Sequence, residues 1–413
     1  MRKFLLLIPV LILIISCQGD LSIIYPEFGN NSWLINSTKL DDSVIVKLQG
    51  IYFSSNPQKR IGDSIIVKSN KNKLMIFCRQ AVDFVLLDGG ILDSGIVFEG
   101  YGRDLETVDV NLVRVFIRND EGASELLNGE TPKSLVLNIS IETDSKSGKG
   151  QADVKYEFIR KLNTEVKFKI IAHRGGARNS DLFHASENSL EMIRFAENLG
   201  ANGIEIDIRL TKDKVPVLFH DDYISKRLVE GDLLIGSIEK YTLPHLKTFC
   251  LLKNGESIPT LEEALNTVIN NTNLDFVWLD IKSPAVVDAV IPIILKFNEI
   301  KKTHGRDVEF YIGISSEQVQ KQLMDNPDFD KILSLSELST EELEVSKSKY
   351  WAPQWTLGHQ NPIVDELILK GVKSIVWTLD ERSFIKEFID KGQFDGMLTN
   401  FAPIVFYEYY IRN

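Results

Sequence analysis

Ile170-Ile-Ala-His-Arg-Gly-Gly176 is the stretch on which the reading of the chain turns. An apolar, β-branched run ends in a histidine, an arginine and two glycines. A strand that ends this way presents an imidazole, a guanidinium and open backbone amides at one point, the set that a phosphate ester requires. Residues further along the chain give this end its meaning. Glu187-Asn-Ser189 opens a predicted helix, Glu205 and Asp207 alternate in a predicted strand, and His220-Asp221 closes the group.

From Val166 onward, strands alternate with helical periods. Lys167 to Ala172 reads as a strand. A helix begins at Ser186-Glu-Asn-Ser189 and runs through Leu190, Ile193, Phe195 and Ala196 to Leu199, with Gly200 as its stop. Gly203 to Leu210, Phe276 to Lys282, Phe310 to Ile314, Lys331 to Leu335, Ser374 to Leu379 and Gly396 to Thr399 read as further strands. Helices are predicted over Leu261 to Leu265 (Thr260 as N-cap), Val286 to Phe297, Pro362 to Leu369 and Phe384 to Ile389. Repeated strand–helix units of this kind predict a (β/α)8 barrel, an α/β fold whose active sites lie at the C-terminal ends of the strands. The polar residues quoted above fall at such ends.

The preceding residues read differently. Asp42 to Phe53 is a strand-like run, Ser64 to Lys68 and Leu74 to Phe77 flank a polar turn at Ser69 to Lys73, and Phe84 to Leu87 meets an expected turn at Asp88-Gly-Gly90. Leu112 to Arg118 is apolar enough on both faces to be partly buried twice over. Short strands with regular turns predict an all-β sandwich or barrel-like domain. No acid–base cluster or metal-ligand spacing occurs in it, so its expected role is accessory or binding. The polar stretch Glu142 to Gln151 is a linker or a loop before a last strand at Val154 to Ile159. The boundary is placed near Leu162 to Glu165, so that residues 17–165 form the accessory unit and 166–413 the barrel.

Size and charge agree with two units. The chain has 413 residues, 44% apolar and 25% charged, and a formal net charge of −11. That balance argues against nucleic acid as a partner but leaves room for an anion in a small local pocket. At the N-terminus, Arg2 and Lys3 precede the apolar run Phe4 to Ile15, which is too short to span a bilayer comfortably. It ends at Ile14-Ile-Ser-Cys17, which resembles the lipobox of bacterial lipoproteins. The resemblance implies a signal peptide over residues 1–16, an acylated Cys17 and a lipid-anchored place in the bacterial cell envelope, at the outer membrane or the periplasmic face. Gln18 after the cysteine fits outer-membrane sorting. The remaining cysteines, Cys78 and Cys250, fall in different units and are expected to be buried, unpaired thiols.

Taken in order, Ala-His-Arg-Gly-Gly at 172–176, Glu-Asn-Ser at 187–189, Glu205-Ile-Asp207, His220-Asp221, Ile258-Pro-Thr-Leu-Glu-Glu, Asp280-Ile-Lys282, Val376-Trp-Thr378 and Asp395-Gly396 resemble the glycerophosphodiester phosphodiesterase family over roughly residues 168–407. The resemblance implies a phosphoric diester hydrolase that splits glycerophosphodiesters into glycerol-3-phosphate and an alcohol. It makes His173 and His220 catalytic, and Glu205, Asp207 and Asp280 ligands of one divalent cation.

The residues argue the same chemistry themselves. A phosphodiester needs a base, an acid for the leaving alkoxide and positive charge against the phosphoryl oxygens. Imidazoles can take and give a proton near neutral pH, and of the six histidines only His173 and His220 stand in strand-end contexts with polar neighbours. Glu205 and Asp207, two apart in an apolar strand, project to one face and repel unless a cation lies between them. Oxygen-only ligands favour Ca²⁺ or Mg²⁺. Arg174 suits bidentate contact with phosphate, and Lys282 shares a face with Asp280, as a phosphate contact or a simple ion pair. Trp377 lines the pocket wall or packs in the core. Glu187 and Asn188 cap a helix or support the site, Glu187 by resemblance lying close to the catalytic histidine. Asp221 supports His220. The family usually carries glutamate where this chain has Asp280, one methylene shorter, and often Asp where this chain has Asn400, which receives no role. Tyr223 to Tyr241 resembles the family's insertion after the second strand and is placed to cover the pocket. The alternatives are a phospholipase D-like enzyme acting on lysophospholipid or other lipid headgroups, and an envelope binding protein that has lost activity.

Overall fold

A computed structural model of the chain describes residues 25–57, 59–80, 82–142, 153–163, 165, 168–231 and 233–413. The lipobox-like stretch with Cys17 and nearly all of the predicted linker lie outside them.

Residues 169–399 form the parallel barrel that the strand–helix alternation predicts. Its eight strands are best named after the nine that precede them. Those nine are β1 (Thr38–Lys39), β2 (Gly50–Phe53), β3 (Ser64–Asn70), β4 (Lys73–Phe77), β5 (Phe84–Leu92), β6 (Gly95–Arg103), β7 (Val110–Arg118), β8 (Val136–Glu142) and β9 (Val154–Arg160). The barrel strands are β10 (Lys169–Ala172), β11 (Gly203–Leu210), β12 (Phe276–Ile281), β13 (Glu309–Ile314), β14 (Leu333–Ser336), β15 (Tyr350–Trp351), β16 (Lys373–Val376) and β17 (Gly396–Thr399). Each pairs in parallel with the next, and β17 returns to β10, which closes the ring. The two-residue strand β15 was not legible as a strand, since it is too short to show a period.

Period-two alternation sorts the barrel's side chains. Ile171, Phe276, Trp278, Tyr311, Leu335, Tyr350, Ile375 and Leu398 form one buried cluster, the barrel's interior filling. The intervening residues, such as Ile170, Ile204, Ile206, Val277, Leu279 and Ile312, belong to a second cluster with the surrounding helices. The same parity carried one step past each strand aims His173, Lys282, Trp377 and Asn400 at the interior of the rim.

Strands β2 to β9 pair antiparallel throughout, and β5 bonds to β6 as well as to β4, so their pairings also form a ring; β1 adds to β5. Inside it lie Ile65, Val67, Leu74, Ile76, Val85, Phe98, Val113, Val115 and Ile139. The alternate residues Ile66, Met75, Phe77, Phe84 and Leu86 share a core with the barrel. Phe77 lies 4.3 Å from Phe406, their rings tilted, and Phe84 lies 6.2 Å from Phe183, centroid to centroid. The helix Ala402–Tyr410 is buried continuously from Ala402 to Glu408 because it lies between the two structures.

Local readings needed three corrections. Asp42 to Phe53 is not one strand: Asp41 caps a short helix, Asp42–Val46, by accepting from Ser43 N, and only Gly50–Phe53 is extended. The Asp88-Gly-Gly90 triplet is not a turn; β5 runs through it, and the turn falls at residues 93–94. Glycine is needed there because a Cβ at Gly89 would meet the Phe98 ring at 2.5 Å and one at Gly90 would meet Ser37 Oγ at 2.1 Å. The helix after Glu187 starts later than expected, at Leu190, with Ser189 as its cap. Cys78 and Cys250 are buried and unpaired, as expected.

Candidate active site

The strand register brings the carboxylates together. In the parallel ladder Glu205 lies beside Trp278, and Asp207 beside Asp280, which in turn lies beside Gly313. The glycine makes room: a Cβ on Gly313 would meet Trp278 Nε1 at 2.4 Å. One ligand oxygen from each of Glu205, Asp207 and Asp280 falls within 4.8 Å of the others.

Lys282, two residues beyond Asp280, lays its Nζ 2.6 Å from Asp207 Oδ1 and 2.5 Å from Asp280 Oδ2. Burial opposes its charge, but the three carboxylates outweigh this and hold the ammonium well above its ordinary range. Burial also opposes the Asp207 anion, yet Lys282 and the two imidazoles hold that carboxyl below its usual value. Burial, with Asp207 and Asp280 adding repulsion, pushes Glu205 up. Its Oε1 is buried without a hydrogen-bond partner, while Oε2 accepts from Arg174 N at 2.8 Å. One lysine therefore leaves two of three clustered acids uncompensated. A donor set made only of oxygen, with an orphaned buried oxygen among them, fits a hard divalent cation.

The turn after β10 brings in the imidazole and the guanidinium. Arg174 is left-handed at φ +54 and Gly175 follows at φ +81, so the chain swings back under the rim. A Cβ on Gly176 would meet Met192 Sδ at 2.6 Å. His173 Nδ1 lies 2.8 Å from Asn400 Oδ1, whose Nδ2 donates to Asp380 Oδ2 at 2.6 Å. With the amide oxygen so fixed, the imidazole donates from Nδ1, and Nε2 faces Glu205 Oε2 at 3.6 Å. Burial, with Arg174 beside it, holds His173 below its usual range against the pull of Asp207.

His220 is oriented from the other side. Its Nδ1 lies 2.8 Å from Asp221 Oδ1, and Arg174 Nη2 lies 3.0 Å from its Nε2. A guanidinium can only donate, so Nε2 carries the lone pair and Nδ1 the proton. Arg174 is held in turn by Glu187, whose Oε1 accepts from Nη1 at 2.9 Å. Glu187 is buried between Arg174 and Arg227, which also grips Asp221. Glu187 thus reaches His220 through Arg174. Asn188, left-handed at φ +59, donates to Asp207 Oδ2 at 2.6 Å and accepts from Asp207 N. Neither residue caps the helix.

His173, Arg174, Glu205, His220, Asp280, Lys282 and Trp377 line one cavity of about 370 Å³, with Asp207 and Glu187 buried behind it. Every candidate from the sequence is therefore at this rim. Asn400, Asp380, Arg227, Ser315 and Glu337 were missed as site residues. Asn400 and Glu337 were within reach of the same signal that found the others, since each stands two places beyond an inward-facing strand leucine. The insertion after β11 has its own small core around Phe219, Leu228, Val229 and Ile258, and sends Arg227 to the rim.

The fold and this constellation define the class, a (β/α)8-barrel protein with a paired-imidazole and carboxylate centre at its C-terminal rim. The chain belongs to the glycerophosphoryl diester phosphodiesterase family, whose model matches residues 173–403. It is similar to a glycerophosphodiester phosphodiesterase of Caldanaerobacter subterraneus, 26% identical over 246 residues, 57% of this chain and 95% of that one. It is also similar to human glycerophosphodiester phosphodiesterase 1, 36% identical over 129 residues, 30% of this chain and only 37% of the human protein. Among solved structures it resembles a glycerophosphodiester phosphodiesterase from Parabacteroides distasonis (24% identity, TM-score 0.48, 60% of this chain and 98% of that one). Another is an Oleispira antarctica phosphodiesterase in complex with the product sn-glycerol-3-phosphate (22% identity, TM-score 0.48, 59% of this chain and 97% of that one).

Proposed function

We propose that the protein hydrolyses glycerophosphodiesters to glycerol-3-phosphate and an alcohol, with His173 and His220 as its proton-transfer groups. The observation that carries this is the meeting of both imidazoles, Arg174, Lys282 and three carboxylates in one cavity. Arg174 and Lys282 supply positive charge to the non-bridging phosphoryl oxygens. His173, kept neutral by burial, takes the nucleophile's proton at Nε2. His220, whose Nε2 accepts from Arg174 in the free protein, takes up a proton there once Arg174 turns to the phosphate, and gives it to the leaving alkoxide as the P–O bond breaks. The nucleophile is water, or the neighbouring glycerol hydroxyl with water opening the resulting cyclic ester; the same two imidazoles serve either.

Glu205, Asp207 and Asp280 are the residues that would hold a divalent cation, Ca²⁺ or Mg²⁺, which supplies Lewis-acid charge when bound. Asp280 stands one methylene short of glutamate, and its contact with Lys282 shows the side chain already turned to the shared centre. Assays on a panel of glycerophosphodiesters test the reading. Turnover is expected to fall by about 10²–10⁴ in H173A and in H220A, with circular dichroism unchanged, and to stop in EDTA. Near-wild-type rates in either variant, or full activity without a divalent ion, would contradict it.

The same proposal extends to organisation and place. Residues 17–165 act as an accessory unit beside the 166–413 catalytic barrel, and acylated Cys17 holds the enzyme on the cell envelope. Among the described residues no helix is long and apolar enough to cross a membrane. Replacing Cys17 by Ala is expected to move the protein from the membrane fraction to the soluble one.

A further inference from the structure

Opposite β10 in the ring lies β14, and the residue just past its end is Glu337. Leu335 faces the interior, so Glu337, two places on, faces it too, and its carboxylate lines the cavity with Asp280, Lys282, Ser315, Trp377 and Thr378. Its backbone N–H donates to Ile314 O at 3.1 Å. Its side chain has neither a hydrogen bond nor an ion pair among the described residues. Burial and Asp280 push its carboxyl up, to about 8, against the pull of Lys282, and a cation that enters the cavity would favour its ionised form. Trp377 stands two strands further round. Its Nε1 donates to Ala352 O at 2.7 Å, which fixes the ring where it lines the same space.

Resting on the phosphodiesterase reading, we infer that Glu337 and Trp377 form a subsite for an alkylammonium group on the substrate's alcohol. The phosphate-binding groups stand on β10 to β12 and beyond β11, so a diester held there sends one of its arms toward β14 across the barrel. A carboxylate and an aromatic ring that line one cavity favour a cation over a neutral polyol, by charge and by the ring's negative face. The cavity volume suits a small diester rather than a two-chain lipid.

The experiment compares kcat/KM of the full chain, loaded with its divalent cation, on glycerophosphoethanolamine, glycerophosphocholine and glycerophosphoglycerol. These share the glycerophosphate half. The wild type is expected to favour the two cationic alcohols by about tenfold or more. In Glu337→Gln that preference ratio is expected to collapse toward one, and in Trp377→Leu to shrink. Free choline and ethanolamine are expected to inhibit the wild type competitively and the Glu337→Gln variant weakly. Gln keeps the shape and replaces a buried acid by a neutral amide, so it does not threaten the fold; Glu337→Ala serves as the second variant. An equal loss on all three diesters, or a wild type with no preference, overturns the subsite while the phosphodiesterase reading stands. A wild type that splits none of them sinks the phosphodiesterase reading itself.

Discussion

At the scale of single residues, the site sets the two imidazoles apart by what each leans on. His173 leans on an amide, Asn400, inside a buried pocket with Arg174 close by; burial and Arg174 favour its neutral form and outweigh the Asn400 hydrogen bond and the acids Asp207 and Asp380, which favour the charged one. His220 leans on the carboxylate of Asp221. The proposed roles of base and acid rest on that difference. The sign is fixed as well: a group whose folded pKa is depressed below that of free histidine and which must be neutral to work loses activity only as pH falls through that lowered value. The acid limb of kcat/KM is therefore expected below about 6.5. Replacing Asp221 by Asn removes the carboxylate that orients His220 and is expected to lower kcat while leaving the acid limb in place. A pH–rate profile of D221N in which the acid limb moves instead would exchange the two assignments. Asp221 is itself held below its ordinary value: Arg227 and His220 outweigh the cost of its burial, so it stays charged across that range.

Elements place those residues, and here the chain's patterning explains what was readable. The period-two runs of β11 and β12 put Glu205, Asp207, Asp280 and Lys282 on one face, and the parallel register does the rest. Strand ends followed by polar residues were visible for His173 and Trp377. Glu337 and Asn400 obey the same parity but come after shorter runs, without a second polar partner in the local sequence to draw attention to them. Arg227 and Asp380 act through tertiary contacts made by loops, which no period records. In the first unit, β-branched content misassigned Asp42 to Val46, where Asp41 capping decides for helix. The Asp88-Gly-Gly90 triplet misled for the opposite reason: its glycines answer to neighbours across the sheet rather than to a turn. The start of the helix Leu190–Phe195 shows two jobs divided between adjacent residues. Ser189 accepts from Met192 N at 3.0 Å, and Asn188 turns away to hold Asp207. Ser189→Ala is expected to cost about 1 kcal/mol of stability with kcat little changed. Asn188→Ala is expected to weaken the cation's hold, read as a higher Ca²⁺ or Mg²⁺ concentration for half-maximal activity. Equal effects of the two on both readouts would show that the division does not exist.

At the scale of the molecule, the antiparallel ring is joined to the barrel by charge as well as by its apolar outer face. Asp83 accepts from Arg382 Nη2 at 2.6 Å, next in the chain but one to Asp380, which orients Asn400 and through it His173. Arg103, fully buried at the end of β6, donates to the carbonyls of Asp181 and Leu182 and to Tyr25 Oη, with its guanidinium 4.2 Å from the Phe183 ring. Those carbonyls belong to the loop whose Asn179 exchanges two hydrogen bonds with Glu187, and Glu187 holds Arg174. A path of contacts thus runs from the first unit to both imidazoles of the site. Replacing Arg103 by Met leaves two buried carbonyls without donors, a loss of about 2–4 kcal/mol, read as a lower midpoint in thermal unfolding. If the path positions Arg174, KM for the diester rises several-fold below the unfolding transition, and Arg103→Lys, which keeps one donor and the charge, restores part of it. If the arginine only fastens the two units together, stability falls in R103M while KM and kcat at low temperature stay at their wild-type values. The kinetic constants of the folded variant, rather than its stability, therefore decide whether the β-rich unit reaches into the chemistry.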